Sequence, residues 1–341
     1  GGIMCQYLPL YELSPADFSM IVRSFVSVFP ESVMFFTGDD TLMLGFKDKV
    51  ALDAGVLRTR FEVPAVKQSL AEMGITSPER VLGMFVADLR HTNSLFGAGP
   101  LNTDDKPAVE FSAPRNALRF TPTENQKLLL ENFSAVPEEF LKGLDGDQRK
   151  LVENNGQALK KMLEGNFLYA QGEASRAFKL LQESLELAPD NPVIRESLIT
   201  VIMASADNLR DAGEKEEAIY QYEMALKLRP SEFFALFHLV DLFMKTEQAG
   251  RAGEIIEAGL KYYPDSAIFI GLKGRYVAAT QQDFAAAAEL LRQAVIRAPW
   301  KPELWNDYAW FAGESGDQFT AIAAAREAEE LMANPFRDDL Q

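Results

Sequence analysis

The stretch AIYQYEMALKLRP, residues 218–230, carries small side chains at Ala218 and Ala225 and ends at Pro230. Two small residues seven positions apart lie on one face of a helix, where a neighbouring helix can approach closely. The proline ends the helix because it lacks a backbone N–H. The stretch therefore predicts a helix that packs on a partner along a seam of small residues.

This pattern recurs along the C-terminal half of the chain, with prolines at successive spacings of 41, 34, 35 and 36 residues. The prolines are Pro189, Pro230, Pro264, Pro299 and Pro335. The two small residues before each proline are Ala177 and Ser184, Ala218 and Ala225, Ala252 and Gly259, Ala286 and Ala294 (with one inserted residue), and Ala321 and Ala328. The matching close-contact positions on the preceding helices are Gly165, Ala206, Val240, Gly274 and Ala309.

A unit of about 34 residues built as helix, turn and helix resembles the tetratricopeptide (TPR) repeat. We expect a mainly α fold in which residues 147–335 form four or five such hairpins, stacked as an α-solenoid. The second unit is longer than the others around Ser197–Arg210. This insertion equals about two helical turns and predicts a longer first helix in that unit.

Composition restricts the classes of function. The chain has 341 residues, of which 47% are hydrophobic and 25% charged, as is ordinary for a soluble protein. It contains no run of about 18–20 apolar residues, so we expect no membrane contact by this chain and a cytoplasmic location. A single cysteine, Cys5, excludes an internal disulfide, and we interpret it as a small buried apolar side chain. The only histidines are His91 and His238, which disfavours a histidine-based metal site or catalytic triad.

The net charge of −16 is concentrated in the C-terminal part, where residues 121–341 hold 23 basic and 36 acidic side chains. Binding to phosphate backbones requires clustered lysine and arginine. The charge therefore disfavours nucleic acid as a partner of the repeats. A solvated acidic surface is the simplest interpretation, and attraction of a basic partner is the alternative.

The first 50 residues predict a strand, a helix and a β-hairpin. Ile3–Leu8 is an apolar run typical of a strand buried on both faces of a parallel sheet. A helix should follow from Pro15 and end at Pro30, and Val33–Phe36 with Thr41–Phe46 should form the hairpin. This succession is typical of the end of a methyltransferase-like α/β sheet. Because the βαβ units and the glycine-rich turn of such a sheet do not precede Ile3, we expect the sequence to begin inside a domain.

The following segment has weaker patterns. Ala54–Phe61, Pro64–Met73 and Pro78–Leu89 predict short amphipathic helices, and Pro100–Pro107 predicts an ordered polar turn. Ala108–Phe111 favours a strand that returns to the sheet. Residues 121–146 then predict a linker and a helix that lead into the repeats.

Three segments together carry a family likeness: Gly2–Pro15, the helix end Val28-Phe29-Pro30, and Leu101–Phe111. They resemble the final third of spermidine-synthase-like proteins. More narrowly, they are similar to the bacterial branch in which that domain follows a membrane-embedded segment and sometimes precedes TPR repeats. The likeness covers residues 1–120 and implies a partial, methyltransferase-like α/β domain. For the full-length parent it implies a membrane anchor and transfer of an aminopropyl group from decarboxylated S-adenosylmethionine to a diamine.

The resemblance also implies where the chemistry of the family would lie. The family's cofactor turn, its ribose-binding acid and its catalytic aspartate all precede the strand at which this chain starts. We therefore expect no catalytic residue and no cofactor in this chain. Gln6 and Tyr7 correspond to the rim of the family's active site and are candidates for substrate contact. Asn102, Asp104 and Asp105 form a turn motif without an assigned role.

The sequence also departs from true spermidine synthases. Phe29-Pro30-Glu31-Ser32 stands where those enzymes carry a segment like Pro-Thr-Tyr-Pro-Ser-Gly. This difference puts aminopropyl transfer by the parent in doubt. Three interpretations remain open. The chain is a scaffold that acts through its repeats, or part of an aminopropyltransferase or a related S-adenosylmethionine-type transferase, or a TPR protein whose front half is a degenerate, non-catalytic remnant.

Groove positions of the repeats are predicted at Asn166, Phe234, His238 and Asp241, and a protein or a peptide is the expected partner. Some TPR proteins hold a terminal carboxylate with lysines and asparagines, but Met162 occupies one of the lysine positions here. The aromatic content favours an apolar or extended segment instead. The alternative is that the repeats pack on their own front domain or self-associate.

Overall fold

The computed structural model describes residues 2–49, 52, 54–91, 96–116, 122–246 and 248–333. The chain divides into two compact units, Gly1–Val201 and Ile202–Gln341. Pro335, the last proline of the predicted repeat pattern, lies outside the described residues.

Four strands and sixteen α-helices occur in the described ranges. The strands are β1 (Ile3–Pro9), β2 (Glu31–Phe36), β3 (Asp40–Phe46) and β4 (Phe85–Asp88). Helices before the repeats are α1 (Pro15–Val28), α2 (Ala54–Phe61), α3 (Pro64–Glu72), α4 (Pro78–Gly83), α5 (Ala108–Asn116) and α6 (Pro122–Glu131). The paired helices are α7 (Gly146–Ala170), α8 (Ala174–Leu187), α9 (Pro192–Ala212), α10 (Lys215–Leu228), α11 (Phe233–Lys245), α12 (Ala249–Tyr262), α13 (Ala267–Gln281), α14 (Phe284–Arg297), α15 (Pro302–Glu314) and α16 (Gln318–Ala333).

The sheet has the order β1-β3-β2-β4, and each neighbouring pair is antiparallel. Because β1 and β2 both pair with β3, they run in the same direction, and α1 connects them. The predicted hairpin of β2 and β3 is confirmed, with Phe35 opposite Leu42. Its turn is closed by a hydrogen bond from the Thr37 N–H to the Asp40 carbonyl, 2.9 Å long.

Strand β1 exists as predicted, but the prediction that it is buried on both faces of a parallel sheet is wrong. It is antiparallel to its one neighbour, and Ile3, Met4 and Tyr7 are 59%, 45% and 52% exposed. Cys5 is also exposed, so its interpretation as a buried apolar side chain is wrong. An apolar run of this length does not reveal how many of its sides are covered, because edge and central strands share the same residue types.

Helix α1 begins as its sequence predicts. The Ser14 side chain accepts a hydrogen bond from the Asp17 N–H, 3.2 Å long, and so caps the helix. The Asp17 carboxylate is 4% exposed and accepts bonds from the Ser112 hydroxyl and the Asn116 amide, each 2.6 Å long. These bonds join α1 to α5.

Helix α5 replaces the strand predicted at Ala108–Phe111, which is therefore wrong. The Asn102 Oδ1 atom accepts a hydrogen bond from the Val109 N–H, 2.9 Å long, and satisfies a donor at the start of the helix. Local side-chain capping thus decides between helix and strand for this short segment.

The segment before α5 is predicted in part. Helices α2 and α3 are confirmed, but Pro78–Leu89 is not one helix. Helix α4 ends at Gly83, and Phe85–Asp88 form β4, which pairs with β2. Phe85, Val86 and Ala87 are at most 1% exposed, so tertiary burial decides their conformation.

The first helical pair, α7 and α8, belongs to the first unit. A Cβ atom on Gly83 of α4 would lie 2.3 Å from the Asn155 Cβ of α7, so these two helices approach very closely. A Cβ on Gly165 would lie 2.9 Å from the Leu181 Cγ of α8. Gly165 is therefore the close-contact position that the repeat pattern predicts.

The second unit continues the same arrangement, in which each helix contacts the next along the chain from α10 to α16. The predicted seam is confirmed, since its small side chains are fully buried: Ala218, Ala225, Ala252, Ala294 and Ala328. Two positions differ from the prediction, since Ala286 of α14 and Ala321 of α16 are only half-buried. In α16 the buried alanines are Ala324 and Ala328. The buried alanine of α14 is Ala287, seven residues before Ala294, so no inserted residue is needed.

These helical hairpins have the architecture of TPR repeats, and the chain is mainly α with a small antiparallel sheet near its N-terminus. Helix α9 has 21 residues against 13 for α11, which confirms the longer first helix of the second repeat. Among the described helices, none combines the length and the hydropathy needed to cross a membrane.

Candidate functional site

A cluster of polar and aromatic side chains lies on α9, α10 and α11 of the second unit. The His238 ring of α11 stacks on Tyr222 of α10, with ring centroids 5.3 Å apart. The Tyr222 hydroxyl donates to the Asp207 carboxylate at 2.5 Å, and Arg210 forms an ion pair with the same carboxylate at 2.9 Å. We call Asp207, Arg210, Tyr222 and His238 the histidine cluster.

The histidine cluster shifts the pKa values of His238 and Tyr222. Burial lowers the pKa of the His238 imidazole, and the Arg210 charge lowers it further. The Arg210 Nη1 atom lies 3.0 Å from the imidazole Nδ1 and 2.9 Å from Nε2. Because arginine only donates hydrogen bonds, this contact favours an imidazole in which the ring nitrogen facing Arg210 carries no proton. Burial also raises the pKa of Tyr222, which therefore keeps its proton.

Helix α11 divides its aromatic residues between the core and the surface. Phe233 packs edge-to-face on Phe269, which is fully buried, with ring centroids 5.2 Å apart. The next residue, Phe234, is 59% exposed and lies nearly parallel to His238, with centroids 6.5 Å apart. Phe233 thus anchors the helix, and Phe234 presents an apolar ring to solvent beside the histidine cluster.

An open pocket of about 260 Å³ lies between α11, α13 and α15, which are the first helices of three successive repeats. Phe237, adjacent to His238, forms one wall. Gly271 forms part of the floor, where a Cβ would lie 2.7 Å from the Leu304 Cδ2. The lining consists of Phe237, Ile268, Gly271, Leu272, Arg275, Lys301, Glu303, Leu304 and Asp307. We call this space the repeat pocket.

The repeat pocket is apolar at its base and charged at its edge. The apolar side chains are Phe237, Ile268, Leu272 and Leu304. An ion pair between Arg275 of α13 and Asp307 of α15 crosses the edge. Such a site can enclose one apolar side chain of a ligand while the ionic groups contact its backbone or polar neighbours.

The structure brings together three of the four predicted groove residues, since Phe234, His238 and Asp241 all lie on α11. Asp241 forms an ion pair with Lys245 at 2.7 Å and contributes to the field at His238. Asn166 lies in the other unit, on α7, where its Oδ1 accepts a hydrogen bond from the Ser197 hydroxyl at 2.5 Å. Met162 of the same helix is 1% exposed and belongs to the core.

The predicted front-half residues lie within the first unit. Gln6 lies opposite Met43 in the sheet, and the Tyr7 hydroxyl donates to the Asp40 carboxylate at 2.6 Å. This hydrogen bond raises the pKa of Tyr7 most, and the hydrogen bond with the Tyr11 hydroxyl raises it further.

The turn motif is closed by paired hydrogen bonds between Thr103 and Lys106. Asp104 and Asp105 are exposed at its tip. Asn102 before it donates its N–H to the Ser24 hydroxyl oxygen at 2.8 Å.

Sequence reasoning missed Asp207, Arg210 and Tyr222, and it missed the repeat pocket. Asp207 and Arg210 are three positions apart on α9, a spacing at which opposite charges meet on a helix surface, and this was the available signal. The pocket left no signal, because its residues come from three helices whose relative position depends on packing.

Solved structures of other repeat proteins are similar to part of this chain. The structure titled MamA 41-end from Desulfovibrio magneticus RS-1 is 20% identical and has a TM-score of 0.40, with 52% of this chain and 96% of that chain covered. The structure titled YrrB, a TPR protein with an unusual peptide-binding site, is 15% identical with a TM-score of 0.40, covering 56% and 94% of the two chains. No protein-family model and no curated protein matches the chain. The assignment of TPR hairpins rests on the packing described above.

Proposed function

We propose that the protein is an interaction scaffold whose second unit binds an extended segment of another protein. The observation that carries this proposal is the repeat pocket between α11, α13 and α15. Phe237 of its wall shares α11 with Phe234, whose ring is exposed. An apolar pocket, with an exposed aromatic side chain on one of the helices that form it, is typical of a binding surface.

The geometry indicates the kind of segment. A pocket of about 260 Å³ accepts one large apolar side chain, such as leucine, methionine or phenylalanine. The ligand should be extended, because the pocket is built by helices from three successive repeats rather than by one hairpin. The carboxylates of Glu303 and Asp307, which line the pocket, can accept hydrogen bonds from the ligand beside the anchor.

A displayed library of 12-residue peptides, selected on the full chain, tests the proposal. We expect enriched peptides to share one apolar anchor and to bind with an affinity that falls about tenfold or more in Leu272→Arg, which puts a charge into the repeat pocket. Phe319→Ala is the matched surface control, because Phe319 is 86% exposed on α16 and does not line the pocket.

Fluorescence anisotropy with the enriched peptides measures these affinities. The proposal is refuted if Leu272→Arg and the unchanged chain bind the peptides equally. It is also refuted if peptides that contain an apolar residue are enriched no more than peptides that lack one. Sedimentation of the chain without peptide tests the alternative that the repeats self-associate. Self-association that Leu272→Arg abolishes would assign the pocket to a second copy of this protein.

We also propose that residues 1–120 are related to the closing part of a spermidine-synthase-like sheet. The parallel direction of β1 and β2, with α1 between them in the chain and β3 between them in the sheet, supports this relation. In this proposal Gln6 and Tyr7 are rim residues of the family's substrate site. Catalysis by a longer parent, with decarboxylated S-adenosylmethionine as the aminopropyl donor, is the alternative function.

Isothermal titration tests the cofactor part of this proposal. Strand β1 is followed by Leu10 and Tyr11 rather than by a glycine-rich turn, so the chain offers no phosphate or nucleoside cradle at that point. We expect no heat of binding when decarboxylated S-adenosylmethionine is added to this chain. Saturable binding would show that the cofactor site lies within these residues and would contradict the proposal.

A further inference from the structure

The first unit contains a cavity of its own, of about 360 Å³. One wall is the face of the sheet that carries Phe35, Leu42 and Leu44. The others come from α2, α3 and α4 and from the turn before α9. The remaining lining residues are Thr37, Leu52, Leu57, Leu70, Met73, Gly74, Ile75, Arg80, Val81, Met84, Asn191, Pro192 and Val193.

The polar side chains at this cavity already have partners in the protein. The Arg80 guanidinium donates to the Asp190 carbonyl at 2.7 Å and to its carboxylate at 2.9 Å. The Thr37 hydroxyl donates to the Asp40 carbonyl at 3.3 Å. The Asn191 Oδ1 accepts from the Val193 N–H at 3.0 Å. A ligand in the cavity would therefore meet mostly carbon atoms, and a charged group there would lose its hydration without compensation.

The size of the cavity indicates the size of its ligand. An apolar cavity of about 150 Å³ in a protein stays dry and binds one benzene ring. By that proportion, 360 Å³ accommodates about 14 carbon atoms. The volume also falls in the range of small-molecule sites, which begin at about 300 Å³.

The wall formed by α3 offers a route of entry. No residue of α3 is buried, and Met73 at its C-terminal end is 58% exposed although it lines the cavity. A flexible thioether side chain at the mouth can adjust to ligands of different shape.

We propose that this cavity binds an uncharged, apolar small molecule of about 14 carbon atoms. Binding at this cavity does not require a peptide in the repeat pocket. Recognition comes from apolar contact and from the exclusion of charged groups, because the cavity's polar side chains are engaged within the protein.

Fluorescence titration of the full chain with 1-aminoanthracene, a neutral three-ring amine of that size, tests the proposal. We expect a blue-shifted emission that saturates at one probe per chain and is displaced by 1-decanol. Val81→Phe places a ring in the cavity and should weaken probe binding by about tenfold or more. Val66→Phe is the matched control, since Val66 lies on α3 and does not line the cavity.

A second variant, Leu57→Trp, fills the cavity from α2 and keeps the test decisive if Val81→Phe does not fold. Circular dichroism establishes that each variant used is folded. The proposal is overturned if the unchanged chain shows no saturable binding of the probe, or if a folded cavity-filling variant binds the probe as well as Val66→Phe does.

Discussion

Replacement of Gly165 by alanine tests the close approach of α7 and α8. The new Cβ would lie 2.9 Å from the Leu181 Cγ and 3.3 Å from the Ala177 carbonyl oxygen. Leu181 is fully buried, and its Cγ moves only if χ1 changes, which the surrounding packing opposes. Overpacking of this kind destabilises a protein by about 1–3 kcal/mol.

Helix α7 supplies its own control at Gly156, where an added Cβ would meet no atom within 4 Å. Alanine in a helix interior is about 1 kcal/mol more favourable than glycine, and this gain applies to both substitutions. Gly156→Ala should therefore raise the free energy of unfolding by about 1 kcal/mol. Gly165→Ala should be less stable than Gly156→Ala by about 1–3 kcal/mol, which measures the packing effect alone.

Urea denaturation followed by far-UV circular dichroism measures this difference, provided that the slope of the unfolding free energy against urea is unchanged between the variants. Equal stabilisation by the two substitutions would refute the reasoning. It would mean that Gly165 has room for a side chain and that α7 and α8 do not meet along a small-residue seam.

Further predictions concern both units. Gly274→Ala would place a Cβ against the Leu291 side chain, so we expect it to be less stable than Gly156→Ala by about 1–3 kcal/mol, measured by tryptophan fluorescence. Folding lowers the pKa of His238, so the unfolded chain takes up the extra proton at a higher pH than the folded chain. The free energy of unfolding should therefore fall as the pH drops below 6.5. His238→Gln should reduce the change of melting temperature with pH below 6.5. Asp17→Asn should cost about 1.5–3 kcal/mol in urea denaturation, because its buried carboxylate accepts hydrogen bonds from Ser112 and a neighbouring amide. An unchanged midpoint for Asp17→Asn would contradict that role.

The repeats could be predicted because each carries its own local signals. A helix that ends at a proline and shows alanines seven positions apart, such as Ala218 and Ala225, encodes both its length and its buried face. Two positions were misplaced, Ala286 for Ala287 and Ala321 for Ala324. Nearby alanines are equivalent in composition and differ only in the direction of their side chains.

The front half was less predictable because its elements depend on contacts distant in sequence. Phe85 and Val86 follow α4 without a break in hydrophobicity, and only pairing with β2 makes them a strand. The residues of β1 have the composition of a central strand, yet they occupy the end of the sheet. Ala108–Asn116 is a helix partly because Asn102 caps it from outside the segment.

The candidate site could be predicted only along one helix. Phe234, His238 and Asp241 share α11 and follow from helical spacing. Tyr222 and Arg210 reach His238 from other helices, and the repeat pocket requires the relative position of α11, α13 and α15. Such positions follow from packing, which a single sequence does not reveal.

Hydrogen–deuterium exchange of the full chain, with and without an enriched peptide, tests the central claim most directly. We predict slower exchange on peptide binding in α11 and α13, around Phe237 and Leu272, and the loss of this effect in Leu272→Arg. Protection confined to the sheet, or to the second helices of the pairs, would contradict the assignment of the groove between the first helices as the binding surface.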